Sequence, residues 1–145
     1  MNEFFPDEQA LADDFYLTRD EIKEMHEAGM LIGSHTVNHP CMSKLSVDEQ
    51  QREIADSFRF LEGITGSVKL KTFCYPYGGF HSFTSDTERL LDEIGCAFSF
   101  NVEKRDIARS DLSSRRQALP RYDCNLFPHG SSRVTEDPAC SATVN

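Results

Sequence analysis

Apolar residues recur at helical spacing in three segments of the chain, and each segment opens with the same polar signal. "TRDE" from Thr18, "SVDE" from Ser46 and "SDTE" from Ser85 set a Ser or Thr three residues ahead of a Glu. In that pairing each side chain can cap the other residue's backbone N–H. The first helix carries Ile22 and Met25 inward and ends at Gly29. The second carries Ile54, Phe58 and Leu61 at i, i+4 and i+7, leaves Glu53 and Arg59 to water, and ends near Gly63 or Gly66. The third carries Leu91 and Ile94, flanked by Leu90, and ends at Gly95.

Short apolar runs alternate with these helices: "MLIG", "LKTFCY" and "CAFSF". Their length and aromatic content predict buried strands. Strands alternating with helices imply a parallel α/β sheet or barrel. In such folds, sites form just past the carboxyl ends of the strands. The loops "SHTVNHP" and "PYGGFHS" occupy those positions, so both are expected on one face. Beyond Phe100, "EKRDIARSDLSSRRQ" reads as a solvated loop or polar helix face, and "ALPRYD" as a last short strand. The organisation expected is one domain over residues 1–128 and a flexible polar tail over 129–145.

The first loop holds His35 and His39 four residues apart, but Gly33, Asn38 and Pro40 exclude a helix interior. Neutral imidazole is a common ligand for zinc and related divalent metals, and a catalytic zinc usually takes three protein ligands. Two histidines on one short loop therefore read as part of a metal site. The plainer reading is that they hydrogen-bond the turn. In the second loop Pro76 stiffens the chain while Gly78 and Gly79 allow a tight turn. Such a loop can hold a backbone N–H toward a developing oxyanion. Tyr75 and Tyr77 offer flat surfaces to a sugar ring. The plainer reading of this loop is an aromatic-rich turn that only fills the barrel mouth. No G-x-G-x-x-G opens the following helix, so a nucleotide fingerprint is excluded.

Composition narrows the partners. A formal charge of −9 opposes binding to nucleic acid. No apolar run approaches the ~20 residues of a membrane-spanning helix. The opening "MNEFFPDEQALADD" lacks the basic-then-apolar order of a signal peptide. The five cysteines are scattered without a C-x-x-C pair, which favours reduced thiols and a cytoplasmic setting.

The two loops together carry a specific resemblance. "GSHTVNHP" is similar to the H-[ST]-x-x-H-P metal motif of the polysaccharide deacetylase family, the chitin- and peptidoglycan-deacetylase-like carbohydrate esterases. "FCYPYGGF" resembles that family's Pro-Tyr-Gly loop, and the similarity runs from about Leu17 to Phe127. The resemblance implies a deformed (β/α) barrel that removes N-acetyl groups from carbohydrate with a divalent metal, zinc being the expected ion. It implies His35 and His39 as metal ligands and the backbone N–H at Tyr77 as oxyanion donor. Acetylated carbohydrate is the implied partner.

The sequence also departs from the family. The family's first motif, an apolar strand ending in Thr-Phe-Asp-Asp, supplies a base and a third metal ligand, and no segment here matches it. Asp13 and Asp14 are adjacent but follow no apolar strand. Cys74 stands where the family often has an arginine, and "LPR" places Arg121 where a general-acid histidine is expected. His81 and His129 are fallback acids, and Asp123 is a further candidate contact to substrate. The expected architecture is thus a partial barrel of weak or absent activity, with an open sheet edge able to self-associate. The alternative is a non-catalytic carbohydrate-binding or interaction remnant of a deacetylase. A more remote reading is a complete metallohydrolase that recruits Asp13 or Asp14.

Overall fold

A computed structural model describes residues 8–126, and the order of its elements follows the alternation of apolar periods. The helices are α1 (Glu8–Phe15), α2 (Arg19–Glu27), α3 (Val47–Thr65), α4 (Ser85–Glu93) and α5 (Arg109–Ser114). The strands are β1 (Thr72–Cys74) and β2 (Phe98–Phe100). Single 3-10 turns lie at Met42–Lys44, Arg116–Ala118 and Cys124–Leu126. None of the described helices is long and apolar enough to cross a membrane.

Two of the three expected caps form as read. Thr18 and Glu21 exchange side-chain-to-backbone hydrogen bonds at 3.2 and 2.7 Å, and Ser46 and Glu49 do so at 3.4 and 2.8 Å. The third cap is shifted. Thr84 is the N-cap of α4, and its N–H donates to Thr87 Oγ1 at 3.0 Å. Glu88 is instead drawn to Arg115 at 2.6 Å, while Thr87 is buried and donates to Gln50 Oε1 at 2.6 Å. Contacts between distant segments therefore override the local Ser85–Glu88 signal. Helix α3 runs through Gly63 and stops at Gly66, which adopts φ 77°. The segment around Asp13 and Asp14, expected only as a solvated approach, is itself the helix α1, and both carboxylates are exposed.

The sheet is narrower than the sequence suggests. β1 and β2 pair in parallel, with Thr72 opposite Phe98, Phe73 opposite Ser99 and Cys74 opposite Phe100. The expected strand at "MLIG" reduces to one parallel bridge between Ser34 and Phe73, and the one at "ALPRYD" to a bridge between Phe100 and Leu119. Four backbone segments thus lie side by side in parallel, an α/β arrangement, but among the described residues they do not close into a barrel.

One face of this sheet carries the core. Phe73 and Tyr75 pack with Ile54 and Phe58 of α3, Leu90 and Leu91 of α4, and Met42, Phe83 and Cys96. In α3 the residues Ile54, Phe58 and Leu61 are buried at the expected helical spacing, and Arg59 is exposed. In α2, Ile22 and Met25 are only half-buried. The other sheet face borders an open groove of about 440 Å³ lined in part by Leu31, His35, Cys74, Phe100 and Arg121. Phe58 is 1% exposed at the centre of the packed face. Its replacement by Ala should cost on the order of 3 kcal/mol, measured by denaturant unfolding; a loss near zero would show that α3 does not pack on the sheet through this residue.

Candidate metal and oxyanion site

The histidine loop begins at the sheet. Ser34 N–H donates to Thr72 O at 2.8 Å, and Cys74 N–H donates to Ser34 O at 2.9 Å. Glycine at the preceding position permits this close approach, because a Cβ on Gly33 would lie 2.5 Å from Thr72 Oγ1 and 3.1 Å from Thr72 O. His35 is the first residue past this bridge. Its Nδ1 lies 2.7 Å from Cys74 O. A carbonyl only accepts, so Nδ1 carries the hydrogen and the neutral ring keeps its lone pair on Nε2. The carbonyl thus fixes both the tautomer and the direction of the ring.

The chain then turns back on itself. Thr36 adopts φ 68° and His39 φ 53°, and Thr36 Oγ1 accepts the His39 N–H at 3.0 Å. The turn sets the two imidazoles edge to face, with centroids 4.8 Å apart. Between them, Glu53 Oε2 accepts the N–H groups of Val37 and Asn38 at 2.9 and 3.0 Å, and Oε1 accepts Asn38 Nδ2 at 2.6 Å. Glu53 was expected to face water; the structure corrects this, because these three donors hold it against the loop. Burial works to raise its pKa, but the hydrogen bonds from Asn38 and Val37 outweigh it and the net shift is downward. The side chain is therefore an anion at neutral pH. A charged residue beside an apolar helical stripe ordinarily points outward, so sequence pattern held no signal for this contact.

The second loop reaches the same place from β1. Tyr77 adopts φ 62°, and its ring lies 5.0 Å from that of His39. The three positive-φ residues other than glycine among those described are Thr36, His39 and Tyr77, all in these two loops. Such backbone costs on the order of 1–3 kcal/mol per residue and concentrates at functional sites. Gly78 follows at φ 67°, closing a tight turn in which Gly79 N–H donates to Tyr77 O at 2.9 Å. A Cβ on Gly78 would lie 2.4 Å from Val102 Cγ1, so the turn is seated directly on that side chain. Among the described residues the Tyr77 N–H has no hydrogen-bond partner, and the residue is 62% exposed.

The remaining candidates separate. Tyr75 is no sugar platform: it is fully buried, stacks on Phe83 at 3.7 Å, and donates its hydroxyl to Gln117 O at 2.5 Å. Arg121 lines the groove with His35 and forms an ion pair with Asp123. A guanidinium does not release its proton near neutral pH, so Arg121 supplies a fixed charge and cannot serve as the general acid. Asp123 is engaged by that charge. Cys74, beside them, has its thiol pKa raised, chiefly by burial. His81 is exposed, with its ring over Gly79. His129 lies outside the described residues. Among the described residues no group of three or more His, Cys, Asp or Glu side chains is gathered as a metal site, so neither Asp13 nor Asp14 completes the histidine pair.

Comparison with known proteins bears on this site. The family model described as polysaccharide deacetylase matches residues 3–98, which contain both loops but neither Arg121 nor Asp123. The putative polysaccharide deacetylase YxkH of Bacillus subtilis (strain 168) is 29% identical over 88 residues, 61% of this chain and 30% of YxkH. The Streptococcus pyogenes deacetylase PplD, solved with acetate, aligns with a TM-score of 0.67 at 23% identity. That alignment covers 78% of this chain and 47% of PplD and shows a shared fold. A mutant of BA3943, a CE4 family pseudoenzyme, aligns with a TM-score of 0.50 at 25% identity over 56% of this chain and 28% of its own. The chain therefore spans less than half the length of each of these relatives.

The strain at position 77 is directly testable. Tyr77→Gly removes the left-handed penalty at an exposed site, so stability by thermal unfolding should hold or rise by about 1 kcal/mol. A loss larger than that would show that the tyrosine ring packs the loop.

Proposed function

The chain belongs to the polysaccharide deacetylase family, and from that premise we propose that it serves the hydrolysis of N-acetyl groups on a carbohydrate, with His35 and His39 as ligands to a divalent metal. The observation that carries this reading is the convergence of the imidazoles, 4.8 Å apart, with the Tyr77 ring 5.0 Å from that of His39. In kind, the donors suit Zn²⁺, since His35 is held in the tautomer that leaves Nε2 open. In number, two histidines fall short of the three protein ligands of a usual catalytic zinc. A divalent ion bound there would polarise an acetyl carbonyl and acidify a water.

The chain's own residues contribute around that centre. The Tyr77 N–H donates to the oxygen on which charge develops. The groove bordered by His35, Cys74, Phe100 and Arg121 gives the substrate a place beside the histidines. Arg121, paired with Asp123, sets a fixed positive charge on that wall. The Tyr77 ring, exposed next to His39, offers a face to the sugar.

A second reading has its own support. No described carboxylate joins the histidines as a third metal ligand, and one structural relative is a pseudoenzyme. On that reading the same groove binds acetylated carbohydrate without turning it over.

Titration calorimetry with Zn²⁺ tests the metal assignment. Binding should be weaker than at a three-ligand site and should disappear in a His35→Ala, His39→Ala double variant. Equal uptake by the two proteins would overturn it. At saturating Zn²⁺ this chain should release acetate from N-acetylated sugar oligomers at close to the background rate. General acid–base assistance is worth about a hundred- to ten-thousandfold, and among the described residues no carboxylate gathers with the histidine pair. Robust release would reveal a base within the chain, with Asp13, Asp14 and Asp123 the first to replace.

A further inference from the structure

We propose that Glu53 is a positioning residue, holding the backbone between His35 and His39 in the shape that brings the two imidazoles to one metal. This rests on the reading of those histidines as ligands. The carboxylate accepts three hydrogen bonds from Val37 and Asn38, two residues between the histidines. Those residues are themselves flanked by Thr36 and His39, both in left-handed backbone. The loop is exposed, with Val37 at 56%, so little apolar packing holds this conformation. A single anion collecting successive N–H groups offsets the strain and sets the curvature of the turn.

The support is rigid. Glu53 directly precedes Ile54, which is 1% exposed in the core. One turn further along α3, Ser57 lies on the same helix face, with its Oγ 2.6 Å from Ser34 Oγ. Ser57 gives its hydroxyl hydrogen to Ile54 O at 2.8 Å, so Ser34 is the donor in that pair. Helix α3 thus grips the loop at Ser34, just before His35, and at Val37 and Asn38, just before His39. Loss of the grip at Glu53 frees His39 to move relative to His35 while the core stays packed.

The test uses the full chain and the metal alone. Glu53→Ala should weaken Zn²⁺ binding by about ten- to a hundredfold, the range seen when groups that orient metal ligands are removed. Far-UV circular dichroism should stay unchanged. Glu53→Gln keeps an oxygen for the two backbone N–H groups and should recover part of the affinity. The absorption spectrum of bound Co²⁺ should change for Glu53→Ala and return toward the parent spectrum for Glu53→Gln. Glu53→Asp keeps the charge on α3 but withdraws it by one methylene, so it carries the same expectation if Glu53→Ala fails to fold. If His35→Ala, His39→Ala abolishes Zn²⁺ uptake while Glu53→Ala and Glu53→Asp bind like the parent, the positioning role is overturned and the metal site stands. If the double variant binds like the parent, the metal reading falls and the positioning role falls with it.

Discussion

Two backbone hydrogen bonds join the halves of the site. Ser34 donates to Thr72 and accepts from Cys74, at 2.8 and 2.9 Å. Gly33 favours them, because a Cβ there would crowd Thr72 of β1. Every later feature follows from that bridge. It delivers His35 to the carbonyl of Cys74, and it delivers the histidine loop to the loop that leaves β1. Residues some forty positions apart in the chain become neighbours, as the 5.0 Å approach of His39 and Tyr77 records.

The sheet that makes this possible is thin. It is packed on one face by α3 and α4 and bordered on the other by an open groove. A fully buried parallel sheet has helices on both faces, so the groove is where this chain differs from a closed α/β layer. The same asymmetry sorts the side chains. Phe73 and Tyr75 belong to the core, and Cys74 and Arg121 to the groove. The site lies where the rigid packed layer meets the open one. Glu53 of α3 accepts hydrogen bonds from the backbone between the histidines, and the Val102 N–H donates to Gly78 O in the second loop.

Family membership and site chemistry bear on function differently. Membership identifies the class of protein. The side chains decide what this chain can contribute: an imidazole oriented at His35, a second at His39, and a Tyr77 N–H with no partner among the described residues, while no described carboxylate gathers with the histidines as a third metal ligand. On the proposed reading, that inventory would serve to hold a metal and an acyl oxygen. Among the described residues no carboxylate completes the histidine pair as a metal site, so a catalytic and a binding role remain distinct chemical proposals for the same groove.

Much of this protein was legible in the sequence because it depends on short-range geometry. The Thr18–Glu21 and Ser46–Glu49 caps span three residues, the α3 core stripe repeats within one helix, and the stops at Gly29, Gly66 and Gly95 need only a residue that tolerates positive φ. The histidine pair and the tyrosine loop could be placed at strand ends for the same reason. Other features were decided only when distant segments met. Strand alternation would set Tyr75 and Tyr77 on one side, yet Tyr75 is locked inward by Phe83 and Gln117 while φ 62° turns Tyr77 out. Thr84 takes the α4 cap because Glu88 is drawn to Arg115. The first strand shrinks to one bridge, and Glu53 turns from solvent to the histidine loop. Caps and periods are set by neighbours along the chain. The direction of a charged or aromatic side chain is set by whichever partner the fold brings within hydrogen-bonding or stacking distance, and no local pattern encodes that partner.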